Sequence, residues 1–135
     1  MRYVLFAGLL IVVGVFVVSG RNVDEIGVEV GDLSSQINSE GQVSVEVTPT
    51  DVSEGSEVWR FEIILDTHSV ELSQDLVEVV MLNGLKPASW DGPEAGGHHI
   101  AGVLTFEPVS PRPEEILMGV REVGGINERT FLWEL

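Results

Sequence analysis

Between residues 57 and 69 the chain reads EVWRFEIILDTHS, and this stretch constrains the fold more than any other. Trp59, Phe61, Ile63 and Leu65 alternate with Arg60, Glu62 and Ile64, the period of a strand with one buried face and one mostly wet face. The strand runs directly into Asp66, Thr67, His68 and Ser69, which hold one of only three histidines; the other two, His98 and His99, sit together in a glycine-rich segment. The best core strand therefore delivers the best candidate site.

The folded domain is expected to begin at residue 42. Val43, Val45 and Val47 alternate with Ser44, Glu46 and Thr48, a second half-buried strand. Beyond the Asp66 corner, Val70 and Leu72 predict a brief extended piece, and Ser73 to Leu76 a single helical turn capped by Ser73. Residues 76–82, LVEVVML, read as a strand closed by Asn83-Gly84. Residues 86–102 hold two prolines and four glycines and are expected to form the long loop of the domain. Residues 103–106, 115–122 and 129–134 follow as strands, the last two joined through the Gly124-Gly125 turn. Six or seven short strands without a helical period predict an all-β fold, an immunoglobulin-like antiparallel β-sandwich, with an open barrel as the alternative. Trp59, Phe61, Phe106, Phe131 and Trp133 fall at core positions; Trp90, in the polar segment, either covers the base of the loop or faces a ligand.

Residues 3–18 carry no charge. As a helix they would span roughly 24 Å, a little short of the roughly 30 Å hydrocarbon core. Residues 1–20 are thus expected to be a hydrophobic helix serving as signal peptide or membrane anchor, residues 21–41 an acidic tether, and residues 42–135 the sandwich, held outside the cytoplasm. The 22 acidic residues against 7 basic, a net charge of -15, repel phosphate backbones and anionic lipid, so no nucleic-acid partner is expected. The acidic surface favours cations or a basic protein partner. With no cysteine in the chain, disulfides, thiolate metal sites, cysteine nucleophiles and blue-copper centres of the usual type are excluded.

Asp66, His68, His98 and His99 are the candidate metal ligands. Two imidazoles and a carboxylate suit Cu(II) or Zn(II) and are too nitrogen-rich for magnesium or calcium. His98 and His99 are adjacent, so in extended chain only one of them joins the corner. The competing reading is that Asp66, Thr67 and Ser69 form a turn and the histidines pin the long loop to it. No enzyme is expected: Asp66, His68 and Ser69 are neighbours in one strand and cannot converge as a hydrolase triad, and the Gly96-Gly97-His98-His99 segment lacks the lysine and hydroxyl of a phosphate cradle. The Asp66–Leu72 block, the Gly96–Phe106 block and the Val123–Arg129 hairpin resemble blocks shared by a group of exported or membrane-anchored prokaryotic proteins with no assigned activity; that resemblance spans about residues 42 to 135 and implies one domain with two coupled motifs. In outline the domain is also similar to small periplasmic copper-binding β-sandwiches with an Asp-x-His pair, although Arg21 stands where a mature histidine would be needed. The expected function is an extracytoplasmic binding or accessory module with a Cu(II) or Zn(II) corner. The alternatives are a structural or protein-interaction domain, or a filament subunit whose residues 21–41 add as a strand to a neighbour.

Overall fold

The computed structural model describes residues 33–135. The expected hydrophobic helix and the first part of the expected tether lie outside the described residues. Among the described residues no helix is long and apolar enough to cross a membrane.

The domain is an antiparallel, all-β sandwich of two sheets. The larger sheet has the order β1-β2-β3-β6-β5, built from β1 (Gln36–Asn38), β2 (Val43–Asp51), β3 (Trp59–Thr67), β6 (His99–Phe106) and β5 (Ser89–Asp91). The smaller has the order β4-β7-β8, from β4 (Val80–Leu82), β7 (Glu115–Val123) and β8 (Ile126–Glu134). The alternations read from the sequence set the two inner faces. Val43, Val45, Val47, Trp59, Phe61, Ile63, Leu65, Leu104 and Phe106 come from the larger sheet, and Ile116, Met118, Val120, Phe131 and Trp133 from the smaller; all are buried. At the centre the Phe61 ring meets Phe106 edge-on at 5.5 Å and Trp133 at 6.0 Å. Each such side chain removed from water stabilises by about 1.5–3 kcal/mol.

Three local expectations give way to tertiary context. Residues 76–82 are not one strand: Leu76–Val79 forms a single helical turn, α1, before β4. Its cap is Asp75 rather than Ser73, the Asp75 carboxylate accepting from the Val77 N–H at 3.0 Å. The segment 86–102 is not wholly loop, because β5 pairs with β6 through Ser89↔Thr105, Trp90↔Leu104 and Asp91↔Val103, and β6 starts at His99. Finally β1, inside the stretch expected as tether, pairs with β2 of its own chain through Ile37↔Glu46.

Parts of the smaller sheet's margins are closed from within. The Gln36 side-chain amide donates to the Leu132 carbonyl at 2.7 Å and accepts from the Leu132 N–H at 3.3 Å, imitating one rung of a ladder along β8. Trp133 donates its indole N–H to the Ser34 carbonyl at 2.9 Å. On β4, the Val80 N–H goes to the Leu76 carbonyl and the Leu82 N–H to the Leu85 carbonyl. Unpaired edge groups are templates for strand addition, so β4, and β8 at its Leu132 rung, are poor acceptors of a further strand.

The β7–β8 hairpin turns on Gly124 and Gly125, whose φ values of 65° and 79° are those of a two-residue turn matched to strand twist. Gly124 is also sterically required, since a Cβ there would lie 2.7 Å from Val43 Cγ2. Beneath this turn lies Arg129, 1% exposed. Its guanidinium donates to the Asn38 side chain at 2.9 Å and to the carbonyls of Val43 at 2.8 Å and Val123 at 2.9 Å. Burial pushes its pKa below the ordinary arginine value, and nearby Glu40 opposes that shift. One buried cation thus ties the start of β2, the end of β1 and the final hairpin.

The loop after β2 carries a second polar knot. Asp51 accepts from the Ser53 hydroxyl at 2.7 Å, the Ser53 N–H at 3.2 Å and the Ser56 hydroxyl at 3.0 Å. These bonds, the Ser53 hydroxyl foremost, with a smaller contribution from Arg60, hold its pKa below the ordinary 3.8. A depressed folded pKa contributes stability that is present above the unfolded value and lost as pH falls through the folded one. The stability gap between the parent protein and Asp51→Asn is therefore expected to be constant near neutrality and to shrink below about pH 4. Paired urea titrations across pH 7 to 2.5 measure it, and a gap that stays level into acid contradicts the assignment.

Candidate functional site

The antiparallel register of β3 and β6 sets Asp66 directly opposite His99. Cross-strand neighbours share a face, here the outer face of the larger sheet, and His99 Nδ1 lies 2.6 Å from Asp66 Oδ1. The two side chains remain 57% and 64% exposed, Asp66 and His99 respectively. A polar contact in that exposed setting contributes little stability and leaves both groups open to another partner.

Backbone bonds join the two motifs that carry these residues. The Thr67 N–H donates to the His98 carbonyl at 3.0 Å, the Leu72 N–H to the Gly97 carbonyl at 2.9 Å and the Gly96 N–H to the Leu72 carbonyl at 2.6 Å. Gly96 and Gly97, at φ 134° and 76°, supply the backbone angles that let the segment reverse against residues 67–72. Thr67 pins the corner from inside, its hydroxyl donating to the Gln42 carbonyl at 2.8 Å and accepting from the Ser69 N–H at 3.2 Å.

The four candidate ligands separate at this corner. Asp66 and His99 meet. His98 takes part through its carbonyl, and its ring is not drawn to the pair. His68, just past the end of β3, is exposed and lines a shallow concavity of about 240 Å³ with Asp66, Ser39 and Ser44. Among the described residues no group of three or more His, Cys, Asp or Glu is gathered to hold a metal. The corner therefore offers one imidazole nitrogen and one carboxylate as neighbours.

Trp90 is explained as a cover. Its ring lies against two glycines: a Cβ at Gly92 would come within 2.5 Å of the ring and one at Gly102 within 2.7 Å. Its indole N–H donates to the Pro93 carbonyl at 2.9 Å. One flank of the ring borders a groove of about 300 Å³ with Leu76, Ile100, Asp75 and Glu94.

A further surface was not anticipated. On the outer face of the smaller sheet Leu117 and Leu132 stand opposite each other across β7 and β8, each 47% exposed. Met81 of β4 stands opposite Gly119, and the dent above that glycine opens a groove of about 300 Å³ between Met81, Leu117 and Thr130. The signal was present in the chain: Ile116-Leu117-Met118 and Phe131-Leu132-Trp133 are runs of three apolar residues, and alternation allows only two of each three to face the core. Comparison of the chain with protein-family models, with curated proteins and with solved structures gives no match.

Proposed function

We propose that this chain is an extracytoplasmic immunoglobulin-like domain, anchored or exported through its apolar N-terminal residues, that works as a binding or accessory module and not as an enzyme. The immunoglobulin-like reading draws support from strand order. With β2 to β8 taken as strands A to G, the sheets read A-B-E-D and C-F-G, the constant-type arrangement, with β1 added beside A. The observation that carries the binding role is the charge of the surface. The described residues hold 18 acidic and 5 basic side chains, and the only buried charge is Arg129. A field of that sign attracts basic partners and accelerates their encounter. Protease treatment of intact cells tests the location. The domain is expected to be digested while cytoplasmic proteins survive; digestion only after lysis overturns the reading.

A second reading is favoured by the Asp66–His99 contact: capture of Cu(II) or Zn(II) at that corner. With two neighbouring protein donors, fewer than the three of catalytic zinc sites, the ion would complete its shell with water. Titration of the full-length protein with each metal is expected to give a His99-dependent rise in melting temperature, because a ligand that binds only the native state stabilises it. An equal rise in His99→Ala places the metal elsewhere, and no rise in the parent removes the metal reading.

A further inference from the structure

We propose that the outer face of the smaller sheet is the docking surface of this module, and that its occupant is a polypeptide segment with apolar side chains beside a lysine or arginine. The proposal deepens the binding-module reading and rests on it. Its first support is the apolar stripe formed by Leu117, Leu132 and Met81 around the Gly119 dent. Exposed apolar residues scattered singly need no explanation, whereas contiguous ones rimmed by polar groups mark contact sites.

The second support is Glu128. A Cβ at Gly119 would lie 2.5 Å from Glu128 Oε2, so this carboxylate folds across β7 and borders the apolar groove. Arg121 is its cross-strand neighbour, yet among the described residues no ion pair involves either side chain. A carboxylate held beside Leu117 and Met81 without a cation is a ready acceptor for one brought by a partner, in a charge-assisted bond. Glu115 and Glu134, paired across β7 and β8, extend the acidic rim.

Charge also selects among occupants. Two copies of this chain packed through the same face would confront Glu115, Glu128 and Glu134 with their own equivalents, offset by one Arg121 from each copy. Anionic lipid meets the same repulsion. The occupied margin of β4 and the Gln36 amide on Leu132 of β8 disfavour strand addition at those edges, the usual alternative for a sandwich, and favour the face.

Site-specific photocrosslinking in cells tests this with the full-length protein. A benzophenone side chain is placed at Leu117, at Leu132 and, as a control on the other sheet, at Glu62, an exposed position in the middle of β3. The expected result is a protein adduct at 117 and 132, absent at 62, whose crosslinked peptide holds apolar residues beside Lys or Arg. Glu128→Gln is expected to cut the adduct yield at 117 at least fivefold with the thermal midpoint unchanged. Adducts at 62 alone leave the binding module standing and overturn this face as its site. Adducts to a second copy of the chain or to lipid overturn the occupant, and an unchanged yield in Glu128→Gln overturns the basic anchor. Absence of adducts at all three positions overturns the docking face and the binding-module reading together.

Discussion

Arg129→Met is expected to destabilise the domain by about 3 kcal/mol or more, because it removes the guanidinium's hydrogen bonds to buried main-chain acceptors while keeping the bulk of the side chain. The carbonyls of Val43 and Val123 and the Asn38 side chain all turn to the guanidinium, and a buried acceptor left bare costs about 1–3 kcal/mol. Replacing a whole buried ion pair by apolar residues is often neutral. Here three of the acceptors, the carbonyls of Asn38, Val43 and Val123, are main-chain groups and cannot be mutated away, so that escape is closed. At about 4–8 °C per kcal/mol for a domain of this size, the midpoint should fall by on the order of 15 °C. Arg129→Lys should recover only part of it, since one ammonium cannot span the forked arrangement. Circular dichroism melts decide the matter. A loss below about 1 kcal/mol would mean that the carbonyls find water instead.

Phe61→Ala carries the second large effect, about 4 kcal/mol. Phe61 is fully buried on β3 and its ring touches the cores of both sheets, meeting Phe106 of β6 and Trp133 of β8. Truncation loses the transfer energy of the ring, leaves a cavity between two rigid sheets and removes two aromatic contacts worth about 0.5–1.5 kcal/mol each. Urea unfolding of the parent and variant measures the difference. A cost under about 1.5 kcal/mol would show that the sheets close over the gap, and the core would then be softer than its aromatic packing implies.

The legible parts of this fold were those where one residue in two points inward. Val43 to Val47, Trp59 to Leu65 and the Gly124-Gly125 hairpin declare themselves because burial and turn chemistry act on neighbouring residues. What escaped depended on partners distant in sequence. Ser89–Asp91 looks like loop from the prolines and glycines around it, yet it pairs with β6, where the Trp90 ring needs the bare backbone of Gly102. Val77 to Val79 has the branched residues of a strand, and the Asp75 cap together with the Leu76 contact in the core winds it into one helical turn. Gln36 sits in a stretch without aromatic residues, and nothing local announces that its amide will match the backbone of Leu132. At the candidate site the residue types were visible and the register was not. Spacing alone left His98 and His99 equivalent; the pairing of Asp66 with His99 selects one of them.

The lock between the first and last strands also sets when the domain can close. Gln36 and Leu132 are 96 residues apart, Ser34 and Trp133 99, and Asn38 and Arg129 91. Contacts across such separations are bought with loop entropy before they return anything, so they form late in folding. A chain that emerges with its N-terminus first, from a ribosome or a channel, can pair β1 with β2 early, but the Gln36 side chain, the Ser34 carbonyl and the Asn38 side chain lack their β8 partners until residues 129–133 are free. Until then β2, β3 and β6 can pair while the margin beside Leu132 stays open. Release of residues 129–133, and not assembly of the central strands, is the event that seals the sandwich.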